Sequence, residues 1–250
     1  MHFLSITLIA EKVNRQAIKV VLDIKAKICY TLKNDVGDVD MNKNVIITIS
    51  REFGSGGRII GSKVAEALNI PFYDRKIMEI TAENSGLAVS FVEDTEQRVK
   101  NKFLHNLAFG GYHMGAMLGS AQLSLSDKLF ISTCETIRSV ADSGDAVIVG
   151  RCADYVLKDR KNVINIFIYA DDEHKRERAI KEYGLLPNKA DSEVKSTNKQ
   201  RANHYNYYTE QIWGDKSNYQ LCLNSGFLGI DNTVKIIVDA VKEFKNSLND

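Results

Sequence analysis

Proline is almost absent: Pro71 and Pro187 are the only two in 250 residues. Turning is left to glycine, present 16 times, so glycine clusters become the informative punctuation. Cysteine is scarce as well. Cys29, Cys134, Cys152 and Cys222 lie far apart with no C-x-x-C pair, which argues against a zinc site and a disulfide framework. The expectation is scattered buried thiols in a reducing compartment. Excess charge is missing too: Lys+Arg 33 against Asp+Glu 32 leaves a net charge of +1. That argues against bulk electrostatic association with nucleic acid or an anionic membrane, so any bound anion must be held by local clusters. No apolar run reaches the roughly 18 residues of a membrane span. The start, MHFLSITLIAEKV, has a short apolar run but no basic n-region or small-residue cleavage site, and the chain reads as cytoplasmic.

What remains is an ordinary globular composition, 44% hydrophobic and 26% charged. Residues 1–40 stand apart: they hold no glycine before Gly37, and Ala17, Val21, Ile24 and Ile28 have helical spacing. They read as an appendage, with Met41 opening the functional domain at 41–250. From there the chain alternates. Short apolar runs at Val45–Ser50, Ile70–Tyr73, Ala146–Val149, Val163–Tyr169 and Gln220–Leu223 read as buried strands. Helical patterns are expected at Gly61–Leu68, over most of 75–142 (with a capping box at Ser90–Glu93), at 173–183 after Asp171-Asp172, at about 199–212, and after a cap at Asp231. Residues 184–198 read as a polar loop, and Gly110–Gly119 as a glycine-rich interruption. Strands separated by helices predict an α/β fold: a five-stranded parallel sheet between helical layers. Ligands of such sheets sit beyond the C-terminal strand ends. Those ends are Arg51–Gly57, Asp74-Arg75, Gly150-Arg151, Asp171-Asp172 and Asn224-Ser225, a convergence of polar and basic groups suited to phosphate.

The segment VIITIS-REFGSGG-RIIGSKVAEAL is strand, glycine loop, helix. Glycines at a helix start expose backbone N–H groups as an anion nest. It does not match G-x-x-x-x-G-K-[ST]. With Gly56 as the last glycine, Gly57 falls at the lysine; one step on, Arg58 takes that place and Ile59 the hydroxyl's. A cation stays beside the nest, and Ser55 or Ser62 is left to supply a hydroxyl for magnesium. The plainer alternative is a tight turn. Arg151, at a strand end, is hard to explain as packing. Lys175, Arg176 and Arg178 share a helix with Glu173 and Glu177, where a solvated, ion-paired face is the usual reason. Lys199, Arg201 and Tyr205–Tyr208 suit either a basic flap over phosphates or an ordinary amphipathic helix. His105, His113 and His204 show no partner spacing.

The segments ISREFGSGGRIIGSKVAEALNIPFYDR, VIVGRCADYVL and NYQLCLNSGFLGID resemble the cytidylate kinase-like family of nucleoside monophosphate kinases. The resemblance spans roughly residues 44–245. It implies the P-loop three-layer α/β/α fold, with a monophosphate-binding insertion at about 75–125 and a lid at about 175–212. It also implies phosphoryl transfer from ATP, with Mg²⁺, to CMP or dCMP. Carried over residue by residue, Gly54, Ser55, Gly56, Gly57 and Arg58 would cradle the ATP phosphates, with Ser55 near the metal. Asp74 and Arg75 would line the acceptor side, Arg151 would clamp the acceptor, and Arg176, Lys199 and Arg201 would be lid cations. The chain departs from the family pattern at the loop lysine and after Gly150-Arg151, where Cys152 replaces an aspartate that helps choose the base. Two other readings therefore stand: a kinase of this fold with a different small-molecule acceptor, and a nucleotide-binding regulatory module without turnover. The partners implied are nucleotides, with no nucleic acid and no membrane.

Overall fold

The computed structural model describes residues 44–85 and 125–248. Residues 1–40, Ser90–Glu93, Gly110–Gly119, Cys29, His105 and His113 lie outside them. The chain divides into two compact units, one holding 40–77 and 137–250 and the other holding 78–136.

The first unit is built on a parallel sheet of five strands: β1 (Ile46–Arg51), β2 (Phe72–Tyr73), β3 (Ala146–Val149), β4 (Val163–Tyr169) and β5 (Leu221–Asn224). The spatial order is β2-β3-β1-β4-β5, with Ile49 opposite Val149 and Ile166. The β-branched runs of β1 and β3 are buried throughout, as strands covered on both faces must be. One face carries Ile47, Ile49, Val147, Val149, Ile164, Ile166 and Ile168. It packs under α1 (Gly57–Leu68) through Ile60 and Val64, and under the last helix, Ile230–Ser247, through Ile237, Val238 and Val241. The other face is more polar: the Thr48 hydroxyl donates to Asn165 Oδ1 at 2.7 Å, and Phe167 packs on Trp213 and Tyr219.

The remaining helices are α2 (Lys76–Ser85), α3 (Leu125–Ser143), α4 (Ala153–Val156), α5 (Asp172–Lys181), α6 (Pro187–Thr209) and α7 (Ser225–Leu228), which makes the last one α8. The second unit's described residues include the ends of α2 and α3, where Met78, Ala82 and Leu129 form a small cluster. The Thr81 hydroxyl donates to the Thr136 hydroxyl at 3.0 Å.

Four expectations are corrected. Residues 184–198 are not a loop: α6 begins at Pro187, an N1 proline, and runs unbroken through the expected second helix to Thr209. The N-cap of α8 is Gly229; Asp231 lies in its first turn and pairs with Lys63 Nζ at 2.6 Å. β5 is an edge strand, exposed at Cys222, so the thiols are not uniformly buried as Cys134 and Cys152 are. Finally, α1 starts at Gly57, four residues earlier than its apolar spacing indicates, because the N-cap is Gly56 at φ 73. Asp171 does cap α5, accepting from the His174 N–H at 3.1 Å. Among the described residues, no helix is long and apolar enough to cross a membrane.

Candidate active site

Past Arg51 the chain leaves the sheet: the Glu52 N–H donates to the Ile168 carbonyl at 3.0 Å, and the glycine loop follows. Each of its glycines is dictated by close approach. A Cβ on Gly54, at φ 80, would lie 2.5 Å from the Lys175 carbonyl oxygen. One on Gly56 would meet Ile230 Cδ1 at 2.5 Å, and one on Gly57 the Arg51 Cβ at 2.5 Å. Helix α1 opens directly behind, so its first-turn N–H groups point out of the loop without intrahelical acceptors. The loop is braced from outside. Arg178 on α5 donates to the Gly54 carbonyl at 3.4 Å and to the Ser225 hydroxyl and carbonyl at 3.2 and 3.0 Å. The Ser225 hydroxyl donates to the Ser55 carbonyl at 2.5 Å. Buried Lys175 bonds Glu52 Oε2 and Asp172 Oδ1, each at 3.0 Å. Burial works against the Lys175 charge, but these hydrogen bonds and the nearby carboxylates outweigh it and raise its pKa.

Beside the loop, arginines gather around one carboxylate. Arg51 turns back over Gly150, where a Cβ would collide with its guanidinium, and its Nη2 lies 3.7 Å from Asp74 Oδ1. Arg58 Nε donates to Asp74 Oδ2 at 2.7 Å. Arg201 on α6 donates to the Arg51 carbonyl at 2.8 Å, and its guanidinium sits over the Phe53 ring, 5.8 Å from the centroid. Burial, then the Arg51 charge, push the Arg201 guanidinium down to about 9, with Arg151 adding to the effect. Burial likewise lowers Arg51, opposed by Asp74. Half-buried cations disfavouring one another mark a place where an anion would be stabilising.

The expected site residues divide accordingly. Gly54, Gly56 and Gly57 form the loop; Arg58, Asp74, Arg151 and Arg201 share the electrostatic cluster. Ser55 is fully buried, and its hydroxyl donates to the Glu52 carbonyl at 2.9 Å. Arg176 faces Asp191 on α6 at 3.9 Å, in a groove with Glu173 and Lys195, not the loop. Arg75 and Lys199 are exposed. Arg51 and Glu52 lie in a strand end expected to meet phosphate but take no individual role from the sequence, Lys175 and Arg178 read there as a solvated face, and Asn198 falls in the expected loop. Asn198 Oδ1 accepts from the Phe53 N–H at 2.7 Å. A signal existed for two of them: Lys175 and Arg178 are three apart, on the face of α5 that also buries Ala179, whereas Arg176 is not.

The strand-loop-helix at Ile46–Leu68 and the Gly150-Arg151 turn after β3 thus stand together beyond the C-terminal ends of two neighbouring inner strands of the parallel sheet. A profile described as the cytidylate kinase-like family matches residues 46–226. The chain belongs to the cytidylate kinase-like family. No curated protein matches its sequence. Among solved structures, an uncharacterised protein of Eubacterium ventriosum is 27% identical, covering 79% of this chain and 98% of its own, with a TM-score of 0.59. Looser likenesses include the shikimate kinase of Bacteroides thetaiotaomicron, 13% identical over 79% of this chain and 98% of its own at a TM-score of 0.46. Another is that of Acinetobacter baumannii in complex with shikimate, 11% identical over 81% of this chain and 96% of its own at a TM-score of 0.48. The P-loop kinase architecture of three layers is therefore that of this chain.

The family implies ATP and a divalent metal. The loop suits a polyphosphate, since it delivers the N-terminus of α1, whose first-turn N–H groups have no intrahelical acceptors. For the metal, no three His, Cys, Asp or Glu side chains gather among the described residues.

Proposed function

We propose that this protein transfers the γ-phosphoryl group of ATP to a nucleoside monophosphate, foremost CMP or dCMP. The observation that carries the reading is the cluster of Arg51, Arg58 and Arg201 about Asp74, with Arg151 near enough to act on Arg201, set beside a glycine loop at the strand ends. A monophosphate acceptor is already an anion, so the reaction needs positioning and charge neutralisation more than a strong base. Gly54–Gly57 and the start of α1 would hold the ATP phosphates through backbone N–H groups. Bound Mg²⁺ would neutralise charge on the transferring group, with phosphate oxygens as its main ligands and the buried Ser55 hydroxyl behind the loop.

Arg51, Arg58, Arg151 and Arg201 would take up the negative charge of acceptor and transferring phosphoryl, and Asp74 and Arg75 would border the acceptor. Arg176 and Lys199 would join as lid cations only after rotation toward the loop. Arg58 and Arg51 leave Asp74 for phosphate when substrate enters, replacing one carboxylate by a more highly charged partner. The buried Cys152 thiol beside Arg151 favours a second reading, an acceptor whose base is not chosen by a carboxylate at this position.

A coupled assay with ATP, Mg²⁺ and each nucleoside monophosphate tests the proposal. Turnover with CMP that collapses in Arg58→Ala or Arg151→Ala supports it. Turnover confined to another acceptor supports the second reading, and tight ATP binding without turnover on any acceptor refutes both.

A further inference from the structure

Behind the arginines lies a buried polar group that the proposed chemistry does not use. Asp154 on α4 is 4% exposed and Tyr205 on α6 is 3% exposed. The Tyr205 hydroxyl donates to Asp154 Oδ2 at 2.6 Å, across 51 residues of sequence, and stands 3.0 Å from Gln211 Oε1. Among the described residues, no hydrogen-bond partner lies within reach of the other Asp154 oxygen or the Tyr219 hydroxyl, both buried, and the Ser50 side chain acts on both groups. Burial raises the Asp154 pKa, and the Tyr205 hydrogen bond opposes that rise. An apolar pair would hold two helices together without desolvating a carboxylate. The arrangement is therefore a poor device for stability alone.

Its position suggests another use. Asp154 follows three consecutive left-handed residues, Gly150, Arg151 and Cys152, at φ 77, 59 and 55. Two of these are not glycine, a conformation that persists only where the surroundings over-determine it. Tyr205 lies one helical turn after Arg201, on a stripe with Val194 and Asn198 that faces the protein body. The Asp154–Tyr205 hydrogen bond thus ties the turn carrying Arg151 to the helix carrying Arg201. We infer that Asp154 and Tyr205 are positioning residues, which fix Arg151 and Arg201 relative to one another so that both meet the same phosphate-bearing ligand. The inference rests on the proposed anion-binding role of those arginines.

The test is a double-mutant cycle in the full chain, with Tyr205→Phe, Asp154→Asn, Asp154→Ala, Arg201→Ala and the double Tyr205→Phe/Arg201→Ala. Binding of CMP and of ATP with Mg²⁺ is measured by titration calorimetry, and kcat and KM by the coupled assay. Emission of Trp213, the only tryptophan, which meets Phe167 edge-to-face with ring centroids 5.4 Å apart, reports whether the C-terminal end of α6 stays docked. Tyr205→Phe is expected to weaken binding of at least one nucleotide about 5- to 10-fold with Trp213 emission unchanged. It should add less than twofold in the Arg201→Ala background. Asp154→Asn, which keeps an acceptor for Tyr205, should bind within about threefold of the parent, and Asp154→Ala should not. Fully multiplicative losses in the double variant, or unchanged binding in Tyr205→Phe, would overturn the inference. If Asp154→Ala does not fold, the Tyr205→Phe cycle decides alone. Non-additive binding without turnover on any acceptor would sink the kinase reading and leave the inference standing. Turnover with additive losses would do the reverse, and a parent that binds neither nucleotide would end both.

Discussion

Replacing Arg51 by Met separates the electrostatic account of the site from a structural one. Methionine keeps the aliphatic stem that packs on Gly57 and removes only the guanidinium. In the free protein that charge meets, among the described residues, the Asp74 carboxylate at 3.7 Å, a long contact on a side chain 20% exposed. Such a pair contributes roughly 0–1 kcal/mol. Against it stand the burial of the Arg51 charge and its repulsion of Arg201, which is pushed down to about 9. The two sides nearly cancel, so Arg51→Met is expected to leave the melting temperature unchanged or to raise it by up to about 4 °C, at 2–4 °C per kcal/mol for a domain of this size. Ligand binding should move the other way. A hydrogen bond to a charged partner contributes about 1.5–3 kcal/mol, so CMP affinity should fall roughly 10- to 100-fold. Thermal unfolding without ligand, and calorimetric titration of CMP at low salt, read the two effects independently. A drop of more than about 4 °C in melting temperature with CMP affinity within about twofold would refute the reasoning and make Arg51 a structural partner of Asp74.

Other predictions follow from the bracing of the loop. Gly54→Ala places a Cβ 2.5 Å from the Lys175 carbonyl at a left-handed φ of 80; at about 1–2 kcal/mol for the backbone alone it should lower the melting temperature by several degrees and weaken ATP binding. Lys175→Met takes the cation from half-buried Glu52, which keeps only the Ala170 N–H among the described residues, and should destabilise by about 1.5–3 kcal/mol, whereas the exposed Lys199→Ala should stay within about 0.5 kcal/mol in chemical denaturation. Because burial raises the Asp154 pKa above its ordinary 3.8, the folded state binds this proton more tightly than the unfolded one. Stability from this group therefore declines as pH rises from about 4 through the raised pKa, and Asp154→Asn should flatten that decline in pH-dependent melting curves. A chain begun at Met41 should be soluble and cooperatively folded, since all five strands lie between Ile46 and Asn224; aggregation of that chain would count against it.

The strands were readable because each is a short apolar run ending in a polar pair, and a doubly covered parallel sheet demands that pattern. α6 was not, for a physical reason. Its docking stripe is Ala190, Val194, Asn198, Arg201 and Tyr205, and the polar members hold it down through hydrogen bonds to distant backbone and to a buried carboxylate. In sequence such a stripe looks like a solvated face. The charged site was half legible on the same grounds. Arg151 and Asp74 stand at strand ends, where position alone marks them. Lys175 draws its meaning from Glu52, 123 residues away, and Arg178 from Ser225. Arg58 was expected to face the glycine nest; its nearest carboxylate, Asp74, arrives only through folding.

One contact has a thermodynamic corollary. The Phe53 N–H, at the entrance of the glycine loop, is already bonded to Asn198 of α6, while the Phe53 ring rests on Tyr183 and under Arg201. Loop and helix therefore share one backbone donor. Any ligand oxygen that recruits this N–H must displace Asn198, and linkage makes the exchange symmetric: ligand loosens helix by the same factor that a loosened helix tightens ligand. Asn198→Ala would remove that competitor, so a ligand oxygen that uses the Phe53 N–H would bind more tightly to the variant than to the parent.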